Sequence, residues 1–170
     1  NGYLQLSQNK YPAQAIHRID YETSGLVLFC KHPFFQAYCD KNMEEHHIKK
    51  EYIALVQGHT NYKNKKIISN IARDRHNAKK MIIHPNGKES ISIFNTLKNY
   101  KDYSLIQVTI LTGRKHQIRV QCASLNHPIL NDPLYGGKKI DNTGLLLQSH
   151  HIQFNDVDIT CPQEKRFIRK

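Results

Sequence analysis

Acidic residues are scarce in this chain. Its 170 residues carry 14 Asp and Glu against 25 Lys and Arg, a formal charge of +11 with histidine neutral. That deficit favours a polyanionic partner, nucleic acid before membrane, although a lysine- and asparagine-rich background with solvated basic faces gives the same total. Cysteine is also scarce. Cys30, Cys39, Cys122 and Cys161 form no Cys-x-x-Cys, so they read as reduced, small core residues of an intracellular, cytoplasmic protein and not as a disulfide frame or zinc site. No apolar stretch approaches the roughly 20 residues that span a bilayer, and there is no signal-peptide pattern. The histidines are scattered; His46-His47 and His150-His151 are adjacent pairs, unlike the i, i+4 spacing of a helical metal site, and no metal is expected. There is no internal repeat and no low-complexity linker, so one domain over 1–170 is expected. Position 1 is not Met and the chain starts in mid-flow, so further residues are expected ahead of Asn1.

What is present is organised around His17-Arg18-Ile19-Asp20-Tyr21-Glu22-Thr23-Ser24-Gly25, followed at once by Leu26-Val27-Leu28-Phe29-Cys30. The Leu26–Cys30 run is apolar and predicts a buried strand. Thr23-Ser24-Gly25 is turn chemistry, with a Gly free to take positive φ and two hydroxyls able to bond nearby backbone. If Arg18-Ile19-Asp20 is extended, Arg18 and Asp20 share a face roughly 7 Å apart along the backbone. A guanidinium beside a carboxylate at the mouth of a strand fits a structural ion pair, and it fits a carboxylate held for chemistry.

Tyr11-Pro12 breaks structure ahead of this stretch, after a polar and uninformative Asn1–Lys10. Beyond it, Phe34, Phe35, Tyr38, Cys39 and Met43 recur at helical spacing and predict a helix from about Phe34 to His47, its aromatic stripe in the core. Lys50–Gly58 is a strand ended by Gly. Lys63–Lys66 is a basic loop, and short strands are expected at Ile67–Ile71 and Lys80–His84 around the cationic Arg73–Lys80. Pro85-Asn86-Gly87 is a hairpin turn signal. Strands follow at Glu89–Leu97, with Ile91 and Ile93 on one face, and at Tyr103–Leu111. The pattern predicts neighbour-to-neighbour antiparallel pairing with helices on one side: an α+β fold, not a doubly wound one.

A second informative stretch runs Thr112-Gly113-Arg114-Lys115-His116-Gln117-Ile118-Arg119. Ile118, Cys122 and Leu125 share one helical face, predicting a helix from about Lys115 to Leu125. Arg114 and Lys115 put positive charge where the macrodipole disfavours it. Free N–H groups plus two cations suit a phosphodiester; alternatively, the long side chains simply bend into water. His127-Pro128-Ile129 leaves the helix, and Asn131–Gly137 is a turn-rich loop. Leu145–Leu147 and His151–Phe154 form a late strand or hairpin, and Lys165–Lys170 a frayed basic tail.

His17-Arg18-Ile19-Asp20-x-x-Thr23-Ser24-Gly25-Leu26 resembles the active-site motif of the RluA-type RNA pseudouridine synthases. Lys50-x-Tyr52-x-Ala54-Leu55-Val56 resembles that family's tyrosine strand. Thr112-Gly113-Arg114-x-His116-Gln117-Ile118-Arg119, then His127-Pro128-Ile129 and Asp132-x-x-Tyr135-Gly136, resembles its arginine segment. Leu145 through Phe154 and Pro162 resembles its closing strand. The likeness covers about Tyr11 to Pro162, with the motifs in the same order.

The resemblance implies the pseudouridine synthase fold and the isomerisation of uridine in RNA: the N1–C1′ bond breaks and a C5–C1′ bond forms. It makes Asp20 the nucleophile, Arg119 its ion-pair partner and Tyr52 the residue that stacks on uracil and helps move the C5 proton. Leu147 becomes the opposite wall of the base pocket. Arg18 enters the space left by a flipped base or holds the neighbouring phosphate. Thr112, Gly113, Arg114, His116 and Gln117 are expected to bind substrate. The implied partner is an rRNA or tRNA loop or bulge, acted on by a monomer without metal or other cofactor.

Some positions depart from the family pattern. The chain is expected to lack the family's N-terminal Lys-Pro-x-Gly segment and its small RNA-binding domain ahead of Tyr11. Gln121 stands where a His is usual, Asn126 and Asn131 where Gly is usual, and Gln148-Ser149 replace His-Ala. Two other functions fit parts of the same pattern: a non-catalytic RNA-binding relative, and a hydrolase using Asp20 with His116 or His17.

Overall fold

The computed structural model describes residues 11–168. The polar Asn1–Lys10 and the last two residues of the expected tail lie outside the described residues. The strands are β1 (Gln14–Ala15), β2 (Ser24–Gly25), β3 (Phe29–Cys30), β4 (Lys49–Gln57), β5 (Lys65–Arg73), β6 (Met81–Ile83), β7 (Lys88–Asn99), β8 (Tyr103–Ile110), β9 (Leu147–Phe154) and β10 (Val157–Thr160). Two α-helices, α1 (Gln36–Glu44) and α2 (Gln117–Ser124), complete the frame. This is the expected α+β fold.

The main sheet runs β10-β9-β4-β8-β7-β5-β6, antiparallel throughout, with β2 added parallel to β9. Strand β4 sits inside it, paired with β8 on one side and β9 on the other. Lys50 through Val56 are all buried, which is why this stretch reads as a run and not as an alternation. The core gathers Ala54, Leu55 and Val56 of β4, Phe94 of β7, Ile106 and Val108 of β8, and Ile118 and Cys122 of α2. Leu125 packs against the same cluster, as its helical spacing requires.

The pairing corrects the sequence reading at Pro85-Asn86-Gly87. Strand β6 pairs with β5, and so does β7, on its other side. The turn therefore does not close a β6–β7 hairpin; it carries the chain across β5. Gly87 makes that crossing possible, since a Cβ there would lie 2.6 Å from the backbone of Ile71.

Three further expectations change. The Leu26–Cys30 run is strand only at Phe29–Cys30, and Leu26–Leu28 is irregular and half-buried. The predicted helix begins at Gln36 after a 3-10 turn over Pro33–Phe35, and its aromatic stripe is not core. Phe34 is 80% exposed and Phe35 56%, whereas Cys39 is buried. Among the described residues Phe34 and Phe35 stay largely uncovered and Tyr38 is half exposed beside the Phe154 ring, so this aromatic spacing faces solvent. The tail is not frayed as far as Ile168. Lys165–Phe167 forms a 3-10 turn, and the Phe167 ring is fully enclosed in the main core.

The sheet face under α2 is polar by design. Ser90, Ser92 and Phe94 point inward from β7, while Ile91 and Ile93 take the other, half-buried face. The serines serve the glutamines of α2. Gln117 Nε2 donates to Ser92 Oγ at 2.8 Å, and Ser92 Oγ donates to Gln121 Oε1 at 2.8 Å. Gln121 Nε2 donates in turn to Ser69 and Ser90 at 3.1 and 3.3 Å. These buried bonds fix both the height and the rotation of α2 above the sheet. Among the described residues, no helix is long and apolar enough to cross a membrane.

Candidate active site

Asp20 opens a tight turn in which the Thr23 amide donates to the Asp20 carbonyl at 2.9 Å. The next residues form β2, held beside β9. Gly25 is indispensable there: its φ is +104°, and a Cβ would fall onto the Ser149 backbone. Arg18-Ile19-Asp20 itself is irregular, not extended strand. The carboxylate finds its cation from another element. Arg119 Nη1 of α2 lies 3.8 Å from Asp20 Oδ2, while Arg18 is exposed.

Arg119 is only 3% exposed and is held from several sides. Its Nε and Nη2 donate to the two carboxylate oxygens of fully buried Asp132 at 2.8 and 2.9 Å. Nη1 donates to Glu22 Oε2 at 3.4 Å. Burial opposes the guanidinium's charge, but the Asp132 hydrogen bonds and the charges of Asp132, Glu22 and Asp20 outweigh it and hold its pKa above the ordinary value. The Tyr135 ring lies 5.2 Å beneath the guanidinium carbon. Asp20 thus faces a cation whose fork is already committed elsewhere.

These groups enclose a pocket of about 180 Å³. Asp20, Arg119, Tyr52 and Leu147 line it, and Arg18, Gly113, Arg114, His116 and Gln117 complete the predicted set. Thr112 is the exception. It lies under the wall, where its hydroxyl donates to Gln117 Oε1 at 2.9 Å and accepts the Ile91 amide at 2.9 Å. Burial pushes the Tyr52 hydroxyl up to about 12, so it is protonated at neutral pH. Arg114 and Lys115 are exposed on the rim, with Arg114 Nε donating to the Glu89 carbonyl. His116 caps α2 in the left-handed region at φ 54°, ψ 22°. Burial lowers its pKa, as do Arg119 and Lys115 against the opposing pull of Asp20. His17 does not line the pocket; its Nε2 accepts the Leu28 amide at 3.1 Å.

A volume of this size suits one flat base better than a drug-sized ligand, which needs roughly 300 Å³ or more. A carboxylate, a buried cation, a phenol and an apolar wall meet there under a basic rim. A family model described as RNA pseudouridylate synthase matches residues 1–124. The chain belongs to this family.

Its relatives and structural neighbours fit that placement. An RNA pseudouridine synthase of Bacillus subtilis is 36% identical over 137 residues, covering 79% of this chain and 45% of that protein. The ribosomal large subunit pseudouridine synthase C of Buchnera aphidicola is 40% identical over 135 residues, covering 78% of this chain and 42% of that protein. The solved human RNA pseudouridylate synthase domain containing 1 superposes with a TM-score of 0.82 at 25% identity, over 94% of this chain and 72% of that one. The chain spans about half the length of the curated relatives it matches.

The family membership makes the departures interpretable. Asn126 and Asn131 replace glycines at φ 61° and 60°, the left-handed region that Asn tolerates best among side-chain-bearing residues. Gln121 lies in the serine network and outside the pocket. Gln148 is fully buried and donates to the Pro162 carbonyl at 3.0 Å. None of these residues lines the pocket, but Ser149 stands across from Tyr52 in the sheet, and its hydroxyl opposes the upward push of burial on the Tyr52 phenol. Sequence reasoning missed the roles of Asp132, Glu22 and Tyr135. The Asp132-x-x-Tyr135-Gly136 motif was a signal for two of them, but the spacing could not say that both point at Arg119.

Proposed function

We propose that this chain carries the catalytic core of an RNA pseudouridine synthase, an isomerase that converts specific uridines of structured RNA to pseudouridine. The observation that carries the reading is the Asp20 carboxylate set 3.8 Å from buried Arg119 in a pocket shared with Tyr52. Simple RNA binding needs no carboxylate in the groove that faces a polyanion, so the non-catalytic alternative leaves that group without a purpose.

Asp20 attacks C1′ of the nucleoside, or draws a ribose proton, as uracil departs from N1. Arg119 holds the carboxylate through both charge states without leaving Asp132. The freed base turns between Tyr52 and Leu147 and rejoins C1′ through C5 as the Asp20–C1′ bond breaks or, on the other route, as Asp20 returns the ribose proton. Tyr52, a protonated phenol, accepts the C5 proton as it gives its own hydrogen to water, and N1 of the turned base takes up a proton from solvent. The target uridine is flipped out of its stack to reach Asp20, and Arg18 at the pocket mouth fills the vacated place or holds the adjacent phosphate. Arg114 and Lys115 meet the flanking phosphates. The name of the Buchnera relative favours large-subunit ribosomal RNA as substrate, with a tRNA loop as the other candidate. On the sequence reading of its cysteines as reduced thiols, the enzyme works in the cytoplasm, as a monomer.

The test is tritium release from [5-³H]uridine-labelled ribosomal and transfer RNA, with the unmutated chain and with Asp20→Ala. Isomerisation expels the tritium to water, and the substitution is expected to abolish it. Free uracil or a cut chain would replace this reading with hydrolysis. RNA binding without release, in a preparation of the full-length gene product, would replace it with the non-catalytic one.

A further inference from the structure

We propose that Tyr135 is a positioning residue for His116. Its hydroxyl holds the imidazole in the neutral tautomer that turns an Nε2–H into the pocket, as a donor to an oxygen of the target nucleotide. The donor role rests on the reading of the pocket as a uridine site; the tautomer does not.

The number of available protons fixes the tautomer. Tyr135 Oη accepts the Met81 amide at 2.9 Å and lies 2.9 Å from His116 Nδ1. The Met81 amide can only donate. Burial pushes the Tyr135 hydroxyl up to about 12, so the hydroxyl keeps its own proton and must place it. Among the described residues, His116 Nδ1 is the acceptor within reach. Nδ1 therefore receives a hydrogen bond, and the ring proton of a neutral imidazole sits on Nε2. Nε2 has no protein partner among the described residues, and His116 lines the pocket.

The charged surroundings agree. Arg119 and Lys115 disfavour a third cation at His116, Asp20 and Glu22 favour one, and burial adds to the first side. Lys80 and Arg119 lie 5.6 and 5.2 Å from the Tyr135 ring. The two rings meet edge to face at 5.7 Å and 85°. His116 is also held in the left-handed region, a conformation that a β-carbon resists and that persists only where the surroundings enforce it. Tyr135 meets the ring from a different segment, the 3-10 turn Pro133–Tyr135. The same hydroxyl anchors β6 through Met81, so the end of the cationic Arg73–Lys80 loop is tied to the ring that faces substrate.

The experiment is a long-range ¹H–¹⁵N correlation spectrum of ¹⁵N-histidine-labelled protein at neutral pH, with His116→Gln identifying the peaks. The expected result is a proton on Nε2 and none on Nδ1, replaced in Tyr135→Phe by a mixture of tautomers. With labelled RNA, Tyr135→Phe is expected to lower kcat by roughly 10- to 100-fold with little change in KM, the signature of a misplaced group and not of lost binding. A proton on Nδ1 in the unmutated protein would overturn the assignment, as would a spectrum that Tyr135→Phe leaves unchanged. A changed tautomer with unchanged turnover would remove the role toward substrate. The spectrum needs neither RNA nor turnover, so a failed isomerisation assay would leave the tautomer decided.

Discussion

Arg119 gives its two-pronged bond to Asp132, at 2.8 and 2.9 Å, and offers Asp20 only the remaining nitrogen at 3.8 Å. The residue that anchors the guanidinium and the carboxylate proposed as nucleophile are thus different. Asp132 orients the guanidinium, and Asp20 lies outside that two-pronged bond. Asp132→Asn keeps the shape but breaks a pair buried on both sides. It is expected to cost about 3–5 kcal/mol in urea denaturation and to remove turnover. Unchanged stability would show that Glu22 and Asp20 suffice to hold the arginine.

Arg119→Ala separates chemistry from affinity. Arg119 is 3% exposed and cannot meet the RNA backbone from outside, whereas Arg114 and Lys115 can. Tritium release is expected to vanish while RNA affinity, measured by filter binding, falls only modestly. Lys115→Ala is expected to reverse the pattern, weakening binding and lowering its dependence on log salt by about one unit of slope for each phosphate left without its cation.

Two phenylalanines test the corrected core. Phe167→Ala empties a fully enclosed site next to the main cluster and is expected to cost about 3–5 kcal/mol. Phe34→Ala, at an 80% exposed ring, is expected to change stability by no more than about 0.5 kcal/mol. Comparable destabilisation at both positions would show that the 3-10 turn Pro33–Phe35 is covered in solution.

Lys50 is 5% exposed, and its ammonium meets the Met43 sulfur at 2.9 Å, a weak acceptor. Burial lowers its pKa. The unfolded chain then binds more protons than the folded one between the lowered folded value and the ordinary value of 10.5, so this group's penalty is relieved as pH rises through that window. Lys50→Met is expected to raise Tm at neutral pH, with the gain shrinking toward pH 10. A Tm below that of the unmutated protein would mean that the ammonium has a function the packing does not reveal.

His151 joins three strands, its Nδ1 to Glu51 of β4 at 2.6 Å and its Nε2 to Asp158 of β10 at 2.8 Å. Hydrogen bonding to Asp158 leads the causes that raise its pKa, and Glu51 adds to it. The folded value therefore lies above the unfolded one. The imidazolium's contribution is complete below the ordinary 6.5 and is lost as pH rises through the raised folded value. Denaturation of His151→Gln and the unmutated protein is expected to differ most at pH 5–6 and to converge above neutrality. A constant difference across that range would assign the residue to packing alone.

By itself, the sequence determined what is local or chemically unambiguous. The alternation of β8, the apolar run of β4 and the face of α2 that holds Ile118 and Cys122 are periodicities that each segment carries within itself. The residues that meet in the pocket were legible through motifs shared with the family: a carboxylate beside a Gly turn, a tyrosine in a buried strand, an arginine one turn into a helix. Tertiary structure decided which of these touch. Arg119 reaches both Asp20, 99 positions earlier, and Asp132, 13 later, a choice that depends on the serine and glutamine bonds setting the rotation of α2. It also decided that the aromatic spacing of α1 faces water and that Phe167 lies in the core, because burial depends on which neighbour arrives to cover a face, and no single segment encodes its neighbour. The crossing of β5 at Gly87 is of the same kind: the turn residues announce a reversal, and only the sheet order says what the chain turns around.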